Sequence, residues 1–266
     1  MCGIAGYSFG ARSGVDRTLA AQALLAGIAE RGADAVGYAY RVAGASAVTI
    51  EKQRTGASAL LDRIAIPREA ADVLLHVRDY TKGHPSIEAN NHPIRHGAVV
   101  GIHNGIIVND EALFADHGIA RDRPEMTVDS EIIFALAERS RGRTSAALEQ
   151  LRGALATAWL DEERPELVLA RGTCRPLWTG ACPDGLFFAS TKAALEVAER
   201  FLRVRLRKRE VAEGTLLAVL GGEVVAQEHF RPDVRFVEDE PLPAVRAPQE
   251  RASCLQVLAA AVAAAA

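Results

Sequence analysis

The chain begins with Met1-Cys2-Gly3-Ile4-Ala5-Gly6-Tyr7-Ser8, and this segment decides how its fold and its chemistry are interpreted. Apolar and small residues at 4–8 predict a short β-strand. Cys2 directly precedes it and is small enough to permit removal of Met1, which would leave a free α-amino group beside the thiol. Such an amine has a pKa of about 7.7–8.0 and can serve as the base. The alternative is a small buried cysteine at a strand start, and this segment alone favours that alternative.

Further apolar and β-branched segments predict that strands dominate over helices. These strands are expected at 36–40, 48–51, 73–77, 98–103, 167–170, 186–189, 216–220 and 223–227, with Gly221-Gly222 as a hairpin turn. Helical spacing occurs at Leu24, Leu25 and Ile28, at Ile132, Ile133 and Leu136, and at 191–201. No regular βαβ rhythm is present, so we expect an α+β protein with antiparallel sheets covered by a few helices.

Composition and charge narrow the class of protein. The chain has 266 residues, 49% of them hydrophobic, which allows a substantial core, and a net charge of −3. A broad basic field for nucleic acid is therefore absent from the sequence. The one dense basic run, at 205–209, is expected to be a solvated strand or loop rather than a polyanion site.

The cysteines and the hydropathy pattern predict a cytoplasmic protein. Four cysteines are scattered without a CxxC pair, which favours reduced thiols over a zinc or disulfide framework. No secretory signal and no membrane-spanning run is evident. No metal or cofactor is expected. Four of the histidines are assigned to loops or the surface: His84, His96, His117 and His229.

The composition changes after about Arg231. Four prolines and several charges at 232–248 predict a linker or a strap across the surface, and an Ala-rich helix former follows. That helix has little to bury and is expected to fray unless a partner covers it. The expected division is one domain at 2–231 and a linker with a C-terminal helix at 232–266.

Asn104-Gly105 follows a predicted strand and suits the chemistry of Cys2. Attack of a thiolate on a carboxamide creates an oxyanion, which the Asn104 amide and the Gly105 backbone N–H could stabilise. Glycine would also let a substrate approach the backbone closely. The alternative is a hairpin turn, which this dipeptide alone favours.

Two charged residues complete a set suited to an amino acid. Arg78 ends the apolar run 73–77 and could grip an α-carboxylate, with an ordinary surface ion pair as the alternative. Asp129 could pair with an ammonium or could cap the helix that follows it. Together with Cys2 they describe a site for glutamine or a close γ-amide.

Several segments resemble class II glutamine amidotransferases in order and spacing, over residues 2 to about 230. The family includes the glutaminase domains of glucosamine-6-phosphate synthase, amidophosphoribosyltransferase and asparagine synthetase. The matching segments are Met1-Cys2-Gly3-Ile4-Ala5-Gly6, Arg31-Gly32-Ala33-Asp34, His76-Val77-Arg78, Asn91-His92-Pro93-Ile94, His103-Asn104-Gly105-Ile106-Ile107, Asp129-Ser130-Glu131 and Phe187-Phe188-Ala189-Ser190.

The resemblance implies a four-layer αββα sandwich of the N-terminal-nucleophile hydrolase type. It implies Cys2 as the nucleophile and Asn104 with Gly105 as the oxyanion hole. The implied glutamine-binding residues are Arg78, Asp129, His76, His92 and Thr81. The family's glutaminase reaction needs no metal.

The segment Asp79-Tyr80-Thr81-Lys82-Gly83 departs from the family, many of whose members have Trp-Ala-Thr-His-Gly there. The added acid and base leave glutamine specificity open. No ATP-pyrophosphatase loop or phosphate loop is evident, so the expected acceptor of ammonia is a separate synthase or transferase subunit. The alternatives are a stand-alone hydrolase of another γ-glutamyl amide and a non-catalytic regulatory subunit.

Overall fold

Two antiparallel β-sheets form the centre of the computed structural model, which describes residues 1–238 and 243–264. The strands are β1 (Gly3–Phe9), β2 (Ala35–Val42), β3 (Val48–Gln53), β4 (Ala70–Arg78), β5 (Ile94–His96), β6 (Val99–Ile107), β7 (Gly153–Asp161), β8 (Arg164–Arg171), β9 (Trp178–Cys182), β10 (Gly185–Ala189), β11 (Arg207–Glu210), β12 (Thr215–Leu220) and β13 (Glu223–His229). The first sheet has the order β11-β9-β10-β1-β4-β2-β3, and the second has the order β13-β12-β8-β7-β6-β5.

The helices lie outside the two sheets. They are α1 (Arg17–Ile28), α2 (Asp110–His117), α3 (Glu131–Arg139), α4 (Thr144–Leu148), α5 (Lys192–Leu202) and α6 (Pro248–Ala264). Asp16 caps α1 by accepting a hydrogen bond from the Leu19 N–H at 2.8 Å. Thr191 caps α5 in the same way through the Ala194 N–H at 3.2 Å.

Three apolar layers hold the sheets and helices together. Along β1, Ile4 faces the second sheet, whereas Ala5, Tyr7 and Phe9 face the helices, as the two-residue period of a strand requires. α1, α5 and α6 cover the first sheet, and α2, α3 and α4 cover the second. Fully buried residues between the sheets include Ile4, Leu74, Ile102, Ala156, Leu169 and Phe188. The α+β class and the four-layer αββα arrangement are confirmed.

Most of the predicted elements are present at the expected positions. Gly221-Gly222 does form the turn between β12 and β13, and the basic run falls on β11, an edge strand that is largely exposed. The elements that the sequence did not predict are α2, α4, β5, β7 and β9. β7 consists largely of alanine, glycine and other residues with weak strand preference, so its nine buried residues give little local signal.

The C-terminal helix packs on the chain itself. Cys254 and Leu258 of α6 are buried in the same apolar layer as α1. Arg251 pairs with Glu30 at 2.7 Å, and the Glu250 carboxylate accepts a hydrogen bond from the Ser58 N–H at 2.9 Å. The apolar face of α6 is therefore covered by α1 and its surroundings, so the helix is packed without a partner protein. The parts of the predicted linker and helix at 239–242 and 265–266 lie outside the described residues.

No helix within residues 1–238 and 243–264 has the length and apolar character needed to cross a membrane.

Leu258→Ala should test the docking of α6. Leu258 is 1% exposed, so its truncation should lower the free energy of unfolding by about 2–4 kcal/mol. The control is Val257→Ala, one residue earlier and 39% exposed, which should change it by less than about 0.5 kcal/mol. Urea unfolding measures both. Equal effects would show that α6 does not pack as described.

Candidate active site

Strand pairing places Cys2 beside the end of β4. Gly3 of β1 pairs with Val77 of β4, so the residue before Gly3 lies next to Arg78 and Asp79. The Cys2 Sγ is 3.4 Å from the Asp79 carbonyl oxygen, to which it donates a hydrogen bond. The Asp79 carboxylate contacts the Met1 ammonium. Arg31 Nε donates to the Cys2 carbonyl oxygen at 2.7 Å, which fixes the backbone at Cys2.

The environment of the Cys2 thiol favours its protonated form. Burial raises its pKa, and the charges of Arg78 and the terminal amine only partly oppose this. A neutral thiol is a weak nucleophile, so a reaction at this sulfur needs a nearby base.

Asn104 and Gly105 lie inside β6, paired with Ala156 and Leu155 of β7, so the hairpin alternative is wrong. Both polar atoms of the Asn104 amide are buried and have no hydrogen-bond partner among the described residues. Asn104 lines the same cavity as Cys2. Because buried polar atoms are nearly always paired, this side chain is a donor and acceptor available to a ligand.

Gly105 is required by close packing against the neighbouring strand. Its φ is 156°, and an added Cβ would lie 1.9 Å from the Ala154 carbonyl oxygen. Any side chain here would displace β6 from β7.

Arg78 is buried, so the surface ion-pair alternative is wrong. It is 2% exposed and donates to Asn91 Oδ1 at 2.5 Å and to the Lys82 carbonyl oxygen at 2.9 Å, with a further bond to the Gly83 carbonyl oxygen. Burial lowers its pKa, and the Cys2 and Asp129 charges oppose that shift. The carbonyl oxygens of residues 82–83 thus accept the hydrogen bonds that the Arg78 guanidinium could otherwise give to a ligand.

Asp129 does not cap α3. Its Oδ2 accepts a hydrogen bond from the Ile107 N–H at 2.7 Å, which joins it to the end of β6. Burial raises its pKa to about 6, and Asp110 adds to the shift while the Ile107 bond and Lys82 oppose it. The carboxylate lines a cavity with Cys2 and Arg78.

The predicted histidines form a buried, uncharged wall. His76 and His92 stack with ring centroids 4.1 Å apart, and His76 Nε2 is 3.1 Å from the His103 carbonyl oxygen. Burial lowers the pKa of His76 and of His103 to about 3 and that of His92 well below its usual value. His92 lines the cavity and His76 supports it from behind.

Two cavities meet at Cys2, and Thr81 lines both. The narrow one has a volume of about 10 Å³, enough for about one water. The charged residues that line it are Arg78, Asp79, Lys82 and Asp129. The wide one has a volume of about 290 Å³ and is lined by Asn104. Gly105 lines both cavities.

Residues not singled out from the sequence also line the wide cavity. They are Arg175 and the segment 236–238, which belongs to the predicted linker. Arg175 is 4% exposed and donates to Glu238 Oε2 at 3.0 Å. Local sequence gives no signal for this pair, because the two residues come together only through the return of the chain after β13.

A buried ionic network supports the narrow cavity. Lys82 Nζ lies 2.6 and 2.7 Å from the two oxygens of Asp110, and Arg121 connects Asp110 to Glu131. His96 pairs with Glu131 at 2.9 Å and is 9% exposed, so its assignment to the surface is wrong. Lys82 therefore fixes the segment that contacts Arg78. No group of three His, Cys, Asp or Glu in the described ranges could hold a metal ion.

Known proteins match this chain in sequence. A family model described as a glutamine amidotransferase domain matches residues 80–197. Glutamine--fructose-6-phosphate aminotransferase [isomerizing] of Shigella flexneri is 32% identical over 246 residues, covering 86% of this chain and 38% of the relative. The enzyme of that name from Acidithiobacillus ferridurans is 34% identical over 209 residues, covering 73% and 32%. The chain thus spans well under half the length of these relatives.

Solved structures match the fold. Glutamine phosphoribosylpyrophosphate amidotransferase from B. subtilis superposes with a TM-score of 0.67 and 21% identity, covering 86% of this chain and 49% of that chain. A structure titled as the allosteric regulatory enzyme of purine biosynthesis gives a TM-score of 0.68 and 22% identity over the same shares.

The sequence matches and the shared fold agree with the ordered motifs around Cys2, Arg78, Asn104 and Asp129. The chain therefore contains a class II glutamine amidotransferase domain.

Proposed function

We propose that this chain hydrolyses glutamine to glutamate and ammonia through a thioester on Cys2, after removal of Met1, and supplies the ammonia to a separate acceptor enzyme. The observation that carries the proposal is a thiol sharing a cavity with two buried, unpartnered amide atoms of Asn104. That combination suits a reaction that develops negative charge on an oxygen.

The first half of the reaction forms the thioester. The Cys2 amine takes the thiol proton as sulfur attacks the δ-carbonyl carbon of glutamine. The carbonyl oxygen becomes an oxyanion and accepts hydrogen bonds from the Asn104 side chain and the Gly105 N–H. The C–N bond then breaks, and the amine returns its proton to the departing ammonia.

The second half regenerates the enzyme. Water attacks the thioester while the Cys2 amine takes its proton, and the same oxyanion site stabilises the second tetrahedral intermediate. Glutamate leaves and the thiol is restored. The buried histidines stay neutral because their pKa values are low, so they shape the pocket without transferring protons.

The charged ends of glutamine are assigned to Arg78 and Asp129. A cavity of about 10 Å³ does not hold an amino acid, so binding requires residues 79–83 to move and the substrate carboxylate to replace the Lys82 and Gly83 carbonyl oxygens at Arg78. The ammonium then pairs with Asp129. His92 and Thr81 border the substrate, and His76 holds His92 in place.

We also propose that 2–231 is the glutaminase domain and that 232–266 is a strap with a C-terminal helix. Support comes from residues 236–238 of the strap, which line the wide cavity, and from α6, which packs in the same apolar layer as α1. The relatives support transfer of the ammonia to an acceptor, because they are named as aminotransferases and extend well beyond the part that matches this chain.

Mass spectrometry of the purified protein, with and without 6-diazo-5-oxo-norleucine, tests the nucleophile. We expect loss of Met1 and one adduct on Cys2, because this glutamine-like electrophile reacts with a nucleophile positioned for the δ-carbon. Cys2→Ala should abolish the adduct, and Cys174→Ala, which removes an exposed thiol, should leave it unchanged. A processed but unlabelled chain would argue against the proposal.

A chain that retains Met1 should be nearly inactive. The amine of Cys2 would then be an amide and could not accept the thiol proton, so kcat should fall about 10²–10⁴-fold. Steady-state glutamate release from protein made with and without methionine removal measures the effect. Comparable rates would exclude the amine as the base.

Asn104→Ala should separate catalysis from stability. Loss of an oxyanion donor should lower kcat about 10²–10³-fold with little change in KM. The free energy of unfolding should change by less than about 1 kcal/mol, because the substitution removes two buried atoms that have no partner. A large loss of stability would show that Asn104 is structural.

Glutamine affinity should depend on the ionisation of Asp129. Its pKa is about 6 in the free protein, so the carboxylate is increasingly protonated below that pH and cannot pair with an ammonium. In Cys2→Ala, which binds without reacting, Kd should rise tenfold per pH unit below about 6, and binding near pH 6 should release protons. Calorimetry in two buffers measures both. In Asp129→Asn the dependence should disappear.

A further inference from the structure

The two cavities at Cys2 divide the substrate between them. A γ-amide carbonyl carbon has three substituents: the chain to the amino acid, the oxygen and the nitrogen. With the amino acid end at Arg78 and Asp129 and the oxygen at Asn104 and Gly105, the nitrogen faces what remains, which is the wide cavity. We call this cavity the leaving-group chamber, lined by Met1, Cys2, Asp79, Thr81, Asn104, Gly105, Ile106, Val108, Arg175 and 236–238.

The chamber is much larger than ammonia requires. Its volume is about 290 Å³, whereas a molecule the size of water needs only about 10–15 Å³ of such space. Met1 forms part of its wall, so the removal of Met1 that the proposed reaction needs would enlarge it further.

The surface of the chamber suits an uncharged group. Its charged side chains are already matched without Met1: Arg175 pairs with Glu238 through two contacts, and Asp79 pairs with Arg246, whose Nε lies 3.3 Å from Asp79 Oδ1. The rest of the wall includes the side chains of Ile106, Val108, Phe236 and Val237. Such a wall stabilises apolar surface removed from water.

We propose a further activity for this site: hydrolysis of γ-glutamyl amides whose nitrogen carries an uncharged, largely apolar substituent. The inference rests on the proposed Cys2 nucleophile and on the assignment of Arg78 and Asp129 to the glutamyl end. The sulfur–carbon bond forms and the carbon–nitrogen bond breaks. The amine R–NH₂ leaves with the thiol proton relayed by the Cys2 amine, and water releases glutamate from the thioester.

The test compares glutamine with the γ-glutamyl methyl-, ethyl- and benzylamides on the purified, Met1-processed chain. Each buried methylene adds about fourfold to affinity, which offsets the bulk of the substituent. We expect kcat/KM for the benzylamide to lie within tenfold of that for glutamine, or above it. A value more than tenfold below glutamine would overturn the inference.

Val108→Trp provides the structural control. Val108 is 57% exposed at the chamber, so an indole should fill the space without disturbing a packed core. The benzylamide-to-glutamine ratio of kcat/KM should fall at least tenfold. Val224→Trp, at a 46% exposed position on β13 outside the chamber, should leave that ratio unchanged. An unchanged ratio in Val108→Trp would also overturn the inference.

The labelling experiment separates this inference from the proposed function. Labelled Cys2 with cleavage of glutamine but not of the larger amides would leave the proposed function standing and overturn the inference. Labelled Cys2 with cleavage of the benzylamide at a kcat/KM within tenfold of that for glutamine, or above it, supports the inference. No adduct and no cleavage of any amide would overturn both.

Discussion

The pairing of β1 with β4 is the constraint on which the rest of the site depends. With Gly3 opposite Val77, Cys2 lies beside the end of β4, where the strand finishes at Arg78 and Asp79 begins a loop. A register shift of one residue would reverse the faces of β1 and would move Ile4 out of the layer between the sheets. The apolar packing of β1 therefore fixes the position of the thiol.

The site also shows where binding capacity conflicts with stability. Among the described residues, the two amide atoms of Asn104 and both ring nitrogens of His92 have no hydrogen-bond partner, and Asp129 is held where burial raises its pKa to about 6. Each arrangement costs folding free energy that a substrate can offset by supplying the missing partner. The layers around β1 and β7 provide the stability that makes these sites tolerable.

Sequence could predict the strand-rich architecture because β1, β4 and β12 have strong apolar patterns. It could predict Cys2, Arg78 and Asp129 as candidates only because several motifs occur together in family order. Asn104-Gly105 shows the limit of local reasoning: the dipeptide favours a turn, and only its pairing with β7 keeps it extended. Arg175 and 236–238 gave no signal, since tertiary contacts alone bring them to Cys2.

The position of β1 in its sheet also sets an order of events during synthesis. Its other neighbour is β10, with Ala5 opposite Ala189, so the central strand of the first sheet cannot complete its pairing until most of the chain has been made. Once folded, the Met1 amine is held against the Asp79 carboxylate and Met1 is only 16% exposed. An aminopeptidase therefore has its best access to the first residue while the nascent chain is unpaired, and the maturation that the proposed reaction requires becomes a competition between processing and folding.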